Sequence, residues 1–119
     1  MEQKMQQIMD KYELMFIAVF DFEKRETKTY GDIDNVPLCS LTGIWLKDFQ
    51  TAQDVYDCYK DGRVILPSIS VEVKVKLITH IPVKNIMTIM VADKYKWTLE
   101  ECYKRRIDLG KDLDTLFDW

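Results

Sequence analysis

Two runs of this chain, residues 14–22 (LMFIAVFDF) and 86–92 (IMTIMVA), are apolar at odd and even positions alike. Successive side chains of a strand point to opposite faces, so such strands need cover on both sides. The runs are therefore expected as neighbours at the centre of a sheet. In the first, Leu14, Phe16, Ala18, Phe20 and Phe22 take one face, and Met15, Ile17 and Val19 take the other. The remaining pattern reads helix, strand, strand, helix, two or three strands, helix. It predicts an α/β (α+β) sandwich: one antiparallel sheet of about five strands with helices on both faces. At 119 residues, one domain spanning 1–119 is expected.

Met1, Met5, Ile8, Met9 and Tyr12 recur at helical spacing, giving a short amphipathic helix that docks on the sheet. After the charged connection 23–26, Thr27 to Tyr30 with the turn signal Gly31-Asp32 completes a hairpin. Residues 32–39 read as a loop, and Ser40 can cap a helix running toward Lys60. On it Leu41, Ile44, Trp45, Leu46, Phe49, Ala52, Val55, Tyr56 and Tyr59 spread over about 200°. That is wider than one sheet face needs, so the helix lies in a larger core or turns its extra side to a partner.

Val64 to Leu66 is read as a brief strand before Pro67. Ile69, Val71, Val73, Val75 and Leu77 alternate with Ser70, Glu72, Lys74 and Lys76, the pattern of a peripheral strand with one face on the core. Its charges face water or guard an edge. The last helix opens with Thr98 as N-cap and Glu101 three residues on. Leu99, Cys102, Tyr103, Ile107, Leu109, Leu113, Leu116 and Phe117 are its expected buried face. Gly110 serves close packing in that arc, and the Arg106 stem covers the sheet with its head in solvent, the alternative being that it binds an anion or a partner carboxylate.

Residue chemistry excludes several function classes. Cys39, Cys58 and Cys102 are odd in number and widely spaced, which suits reduced, buried thiols. With one histidine, His80, and no C-x-x-C pair, a zinc site lacks ligands. The four glycines are scattered rather than clustered around a phosphate. A formal charge of -3 gives no general attraction to nucleic acid or anionic membrane. No apolar run reaches the ~20 residues of a membrane helix, and the N-terminus is too polar for a secretory signal, so the cytoplasm is the expected location. No cofactor is expected.

The segments Tyr30-Gly31-Asp32-Ile33-Asp34, Ser40-Leu41-Thr42 and Ile44-Trp45, with residues 86–93 and the basic final helix, resemble the roadblock family of dynein light chains. Relatives in that family include subunits of GTPase-regulating complexes and bacterial polarity proteins. The resemblance covers nearly the whole chain, departing at Lys96-Trp97-Thr98-Leu99 and over 54–67. It implies a non-enzymatic adaptor. Two copies, or this chain and a related subunit, would join through middle helices and edge strands and offer a platform to a small GTPase or motor subunit. Leu41, Trp45, Leu46 and Phe49 are then the expected contact, flanked by Glu72, Lys74 and Lys76. The alternative is a PAS-like small-ligand sensor, its apolar pocket lined by the six Met and five Phe. An enzyme using His80 or a cysteine ranks below both.

Overall fold

The computed structural model describes residues 2–32, 48–59, 68–71 and 74–117. Its elements are α1 (Glu2–Tyr12), β1 (Leu14–Asp21), β2 (Glu26–Tyr30), α2 (Phe49–Tyr59), β3 (Ser68–Val71), β4 (Val75–His80), β5 (Ile86–Asp93) and α3 (Leu99–Leu116). The five strands form one sheet in the order β2-β1-β5-β4-β3, every pair antiparallel. The two runs that are apolar on both parities are indeed the central pair. On one face α1 and α3 enclose Met5, Ile17, Val19, Ile78, Met90, Leu109 and Leu113. On the other, α2 closes Ala52 and Tyr56 over Phe16, Phe20, Met87 and Ile89. Among the described residues no helix is long and apolar enough to cross a membrane.

Strict alternation fails at the start of β1. Leu14 faces Ala92 and Phe16 faces Val91, so Met15 is an extra residue in the ladder, a β-bulge. The bulge moves Leu14 to the α1/α3 side with Ile17 and Val19, while Met15 packs on the α2 side. Both residues thus exchange the faces that their parity assigns. Gly31, at the end of β2, fits against this bulge. Its φ is +94°, and a Cβ there would stand 2.6 Å from the Met15 carbonyl oxygen.

A second departure lies at the other edge. The expected single strand through Ile69, Val71, Val75 and Leu77 is two, β3 and β4, paired with Val71 opposite Lys76 and Ile69 opposite Ile78. The reversal resets the alternation, so Ile69 packs on the α1/α3 side and Val75 and Leu77 on the α2 side. Val64 to Leu66, Val73 and the Ser40 cap lie outside the described residues. The described helix opens instead at Asp48, whose carboxylate accepts from the Thr51 N–H at 3.3 Å and from the Thr51 hydroxyl.

The last helix keeps its predicted cap, with the Thr98 hydroxyl accepting from the Glu101 N–H at 3.3 Å. Its buried side is narrower than expected. Cys102, Leu109, Gly110 and Leu113 are covered, whereas Leu99 and Tyr103 are each 71% exposed and Ile107 is 45% exposed. Residues four apart share one flank of a helix, and this flank lies beyond the sheet contact.

Gly31→Ala should lower stability by about 1–3 kcal/mol, because the new methyl group meets a backbone carbonyl and the positive φ disfavours any Cβ. Urea denaturation measures it. An unchanged midpoint would contradict the close approach of Gly31 to the bulge.

Candidate functional site

Both edges of the sheet, β2 and β3, carry exposed residues. Below the sheet, α2 presents Phe49, Ala52, Val55 and Tyr56 inward, and Gln50, Asp54, Asp57 and Cys58 are on its outer side. Phe22 sits between the Phe49 and Tyr56 rings, at 5.4 and 4.6 Å between centroids. The Arg25 guanidinium lies over the Phe49 ring at 5.4 Å. The Tyr56 hydroxyl accepts from the Asn85 N–H at 2.9 Å and ties α2 to the β4–β5 turn. Within the described residues the apolar stripe of α2 is thus directed to the sheet. The wide arc expected of this helix rests on Leu41, Trp45 and Leu46, which lie outside the described residues, as does Glu72.

Of the remaining expected contact residues, Phe49 is half-buried, Lys74 is exposed, and Lys76 is half-buried on the face opposite to α2. The Lys76 ammonium reaches the Trp97 carbonyl and lies 3.7 Å from the Cys102 Sγ. The structure therefore does not bring Phe49 and Lys76 together. The alternation puts Lys76 opposite Val75 and Leu77, on a face expected to meet water or charge or to guard an edge; α3 covers that face, and the Lys76 charge caps a carbonyl just ahead of the helix.

That carbonyl belongs to the joint between α1 and α3. Trp97 is fully buried, and its indole N–H donates to the Tyr12 carbonyl at 2.7 Å. Arg105 donates to the same carbonyl at 3.1 Å, lies over the Trp97 ring at 5.4 Å and pairs with Glu101 at 2.9 Å. The exposed end of α1 is closed in this way, since the last carbonyls of a helix have no partner of their own. Nearby, Asp112 accepts from the Tyr12 hydroxyl at 2.5 Å and from Lys11 at 2.9 Å. Burial pushes the Asp112 carboxyl up, but those two bonds outweigh it and hold it below the usual carboxylate range. Burial, together with the bond to Asp112, pushes the Tyr12 phenol up to about 12.

His80 is a buried strap. Its Nε2 lies 2.9 Å from the Asp114 carboxylate, and its carbonyl accepts from the Thr88 hydroxyl at 3.2 Å. Its buried Nδ1 has no hydrogen-bond partner among the described residues. Cys102 is buried, Cys58 is exposed and Cys39 lies outside the described residues. Met5, Met9, Met87 and Met90 fill the two cores. Beside β3, sequence reasoning missed a shallow groove of ≈ 220 Å³ lined by Ile69, Val71, Leu99, Cys102 and Tyr103. The signal was present in the four-residue spacing of Leu99, Tyr103 and Ile107, which had been assigned to the core.

Trp97→Phe should cost about 0.5–1.5 kcal/mol in denaturant unfolding, since it removes one of the two donors to the Tyr12 carbonyl; an unaltered midpoint would deny the joint this role. The Asp112 contribution to stability is present above the ordinary aspartate pKa and is lost as pH falls through the lowered folded value. That of Tyr12 is present below 10.0 and is lost as pH rises toward about 12. The stability difference between wild type and Asp112→Asn should therefore shrink in acid. A difference constant across the acid range would count against the Tyr12–Asp112–Lys11 contact.

No family model matches this sequence, and no curated protein does. Among solved structures, MglB of Myxococcus xanthus superposes with a TM-score of 0.58 at 12% identity, over 94% of this chain and 89% of that one. MglC of the same organism gives a TM-score of 0.48 at 7% identity, over 96% and 99% of the two chains. The fold assignment rests on MglB. The chain has the roadblock-type α/β fold that its sequence resembles.

Proposed function

We propose that this chain is a non-enzymatic cytoplasmic adaptor. One roadblock-like domain spanning 1–119 pairs with a second copy or a related subunit, and the pair offers its joined surface to a protein partner such as a small GTPase. The observation that carries this reading is the β3 edge. β3 has four residues and is the last strand of the sheet, with no strand on its outer side among the described residues. Unpaired N–H and C=O groups on such an edge are a template for another strand.

Pairing of β3 with its counterpart about a two-fold axis would extend the sheet through both subunits. The middle helices would then meet below it, where Trp45 and Leu46 are expected. The MglB-like fold supports this architecture, and the GTPase as partner rests on the roadblock resemblance of the sequence.

Light scattering after size-exclusion chromatography should give about twice the chain mass. Leu46→Asp should shift the mass to that of one chain while far-UV circular dichroism stays native. A wild-type chain monomeric at every concentration would reject self-pairing, and a dimer indifferent to Leu46→Asp would reject this location.

A further inference from the structure

The helix layer above one face of the sheet is narrower than the sheet. Packed helices lie ~8–10 Å apart and strands ~4.8 Å apart, so two helices cover about four strands. There are five strands here, and among the described residues α1 and α3 stop short of the Val71 end of β3, as they do of residues 26–29 of β2, while Ile69 still packs against their core. The consequence is visible in exposure. Val71 on β3 is 66% exposed, and beside it the α3 flank bears Leu99, Tyr103 and Ile107, one turn apart. Ile69 and Cys102 lie in the groove of ≈ 220 Å³ between strand and helix, which Lys76 and Arg106 also line. A contiguous apolar strip of this kind is the mark of an interaction surface.

Charge at the groove identifies what it accepts. On α3 Glu100 pairs with Lys104 at 3.2 Å and Glu101 with Arg105 at 2.9 Å. Lys74 and Lys96 have no ion-pair partner among the described residues, and Lys94 lies over the Tyr95 ring at 5.4 Å. The sheet register collects these lysines at the end where Val71 and Leu99 open the groove. Val71 is opposite Lys76, and the Lys94 N–H donates to the Lys74 carbonyl at 3.3 Å.

We propose that this groove docks an amphipathic helix of another protein, apolar toward Val71, Leu99 and Tyr103 and acidic toward Lys74, Lys94 and Lys96. A helix is the occupant because the open volume stands in the helix layer, above β3. A strand added to β3 would lie in the sheet plane and leave the groove empty. The site thus does not depend on pairing of two subunits and goes beyond it.

A fluorescein-labelled helical peptide with Leu at i, i+4 and i+7 and Glu on its other side provides the probe, with a Lys-for-Glu version as control. In anisotropy titrations of the full chain, the Glu peptide should bind at least about tenfold more tightly than the Lys peptide. Leu99→Asp with Tyr103→Asp should weaken it by about tenfold or more, and Lys74→Glu with Lys96→Glu should erase the charge preference. Circular dichroism checks folding, and Tyr103→Ala with Ile107→Ala replaces the first pair if it fails to fold. No binding, equal binding of the two peptides, or binding indifferent to the α3 substitutions would overturn the proposal. So would a wild-type dimer that dissociates on Tyr103→Asp, which would assign the groove to a second copy.

Discussion

Burial of β1 and β5 on both faces is the constraint from which the rest of the architecture follows. Neither strand has a side that tolerates water, so the chain must supply one layer above the sheet and another below it. α1 and α3 make the first and α2 belongs to the second. The joint at Trp97 makes the upper layer one body: a single indole N–H and one guanidinium close the end of α1, while Lys76 anchors the chain just before α3. The indole bond is buried, and leaving its carbonyl unmet would cost more than an exposed contact contributes.

The same economy leaves one side of the molecule unfinished. Helices and strands have different widths, and β3 lies at one edge, with no strand on its outer side among the described residues and with Val71 exposed. These are two different resources. The backbone edge lies in the sheet plane and suits another strand, whereas the face lies in the helix layer and suits another helix. The proposed adaptor role needs separate surfaces for assembly and recruitment, which this edge and this face would supply.

The central strands were legible because an apolar run on both parities has few other solutions, and α1 and the Thr98 cap because helical period and cap chemistry are local. The bulge at Met15 was not, since it exists only in the pairing of β1 with β5 and in the room that Gly31 leaves for it. The β3–β4 reversal hid inside a continuous alternation, which reads the same whether or not the chain turns back midway. Lys76 keeps the face opposite Val75 and Leu77 that the alternation gives it, and only the cover that α3 lays over that face was not legible. On α3, composition gave the apolar positions but not the width of the surface waiting to bury them, so Leu99, Tyr103 and Ile107 were assigned to a core that does not reach them. Of the expected contact, Phe49 and Lys74 can be placed around the sheet, and the residues from 41 to 46 lie outside the described chain.

Hydrogen exchange read by mass spectrometry across a dilution series tests the central claim most directly, because it watches the β3 backbone itself. If β3 is the pairing edge, amides of residues 68–71 exchange slowly at high concentration and progressively faster on dilution, while those of β1 and β5 hold their protection throughout. Exchange at 68–71 that is fast and independent of concentration would contradict the account.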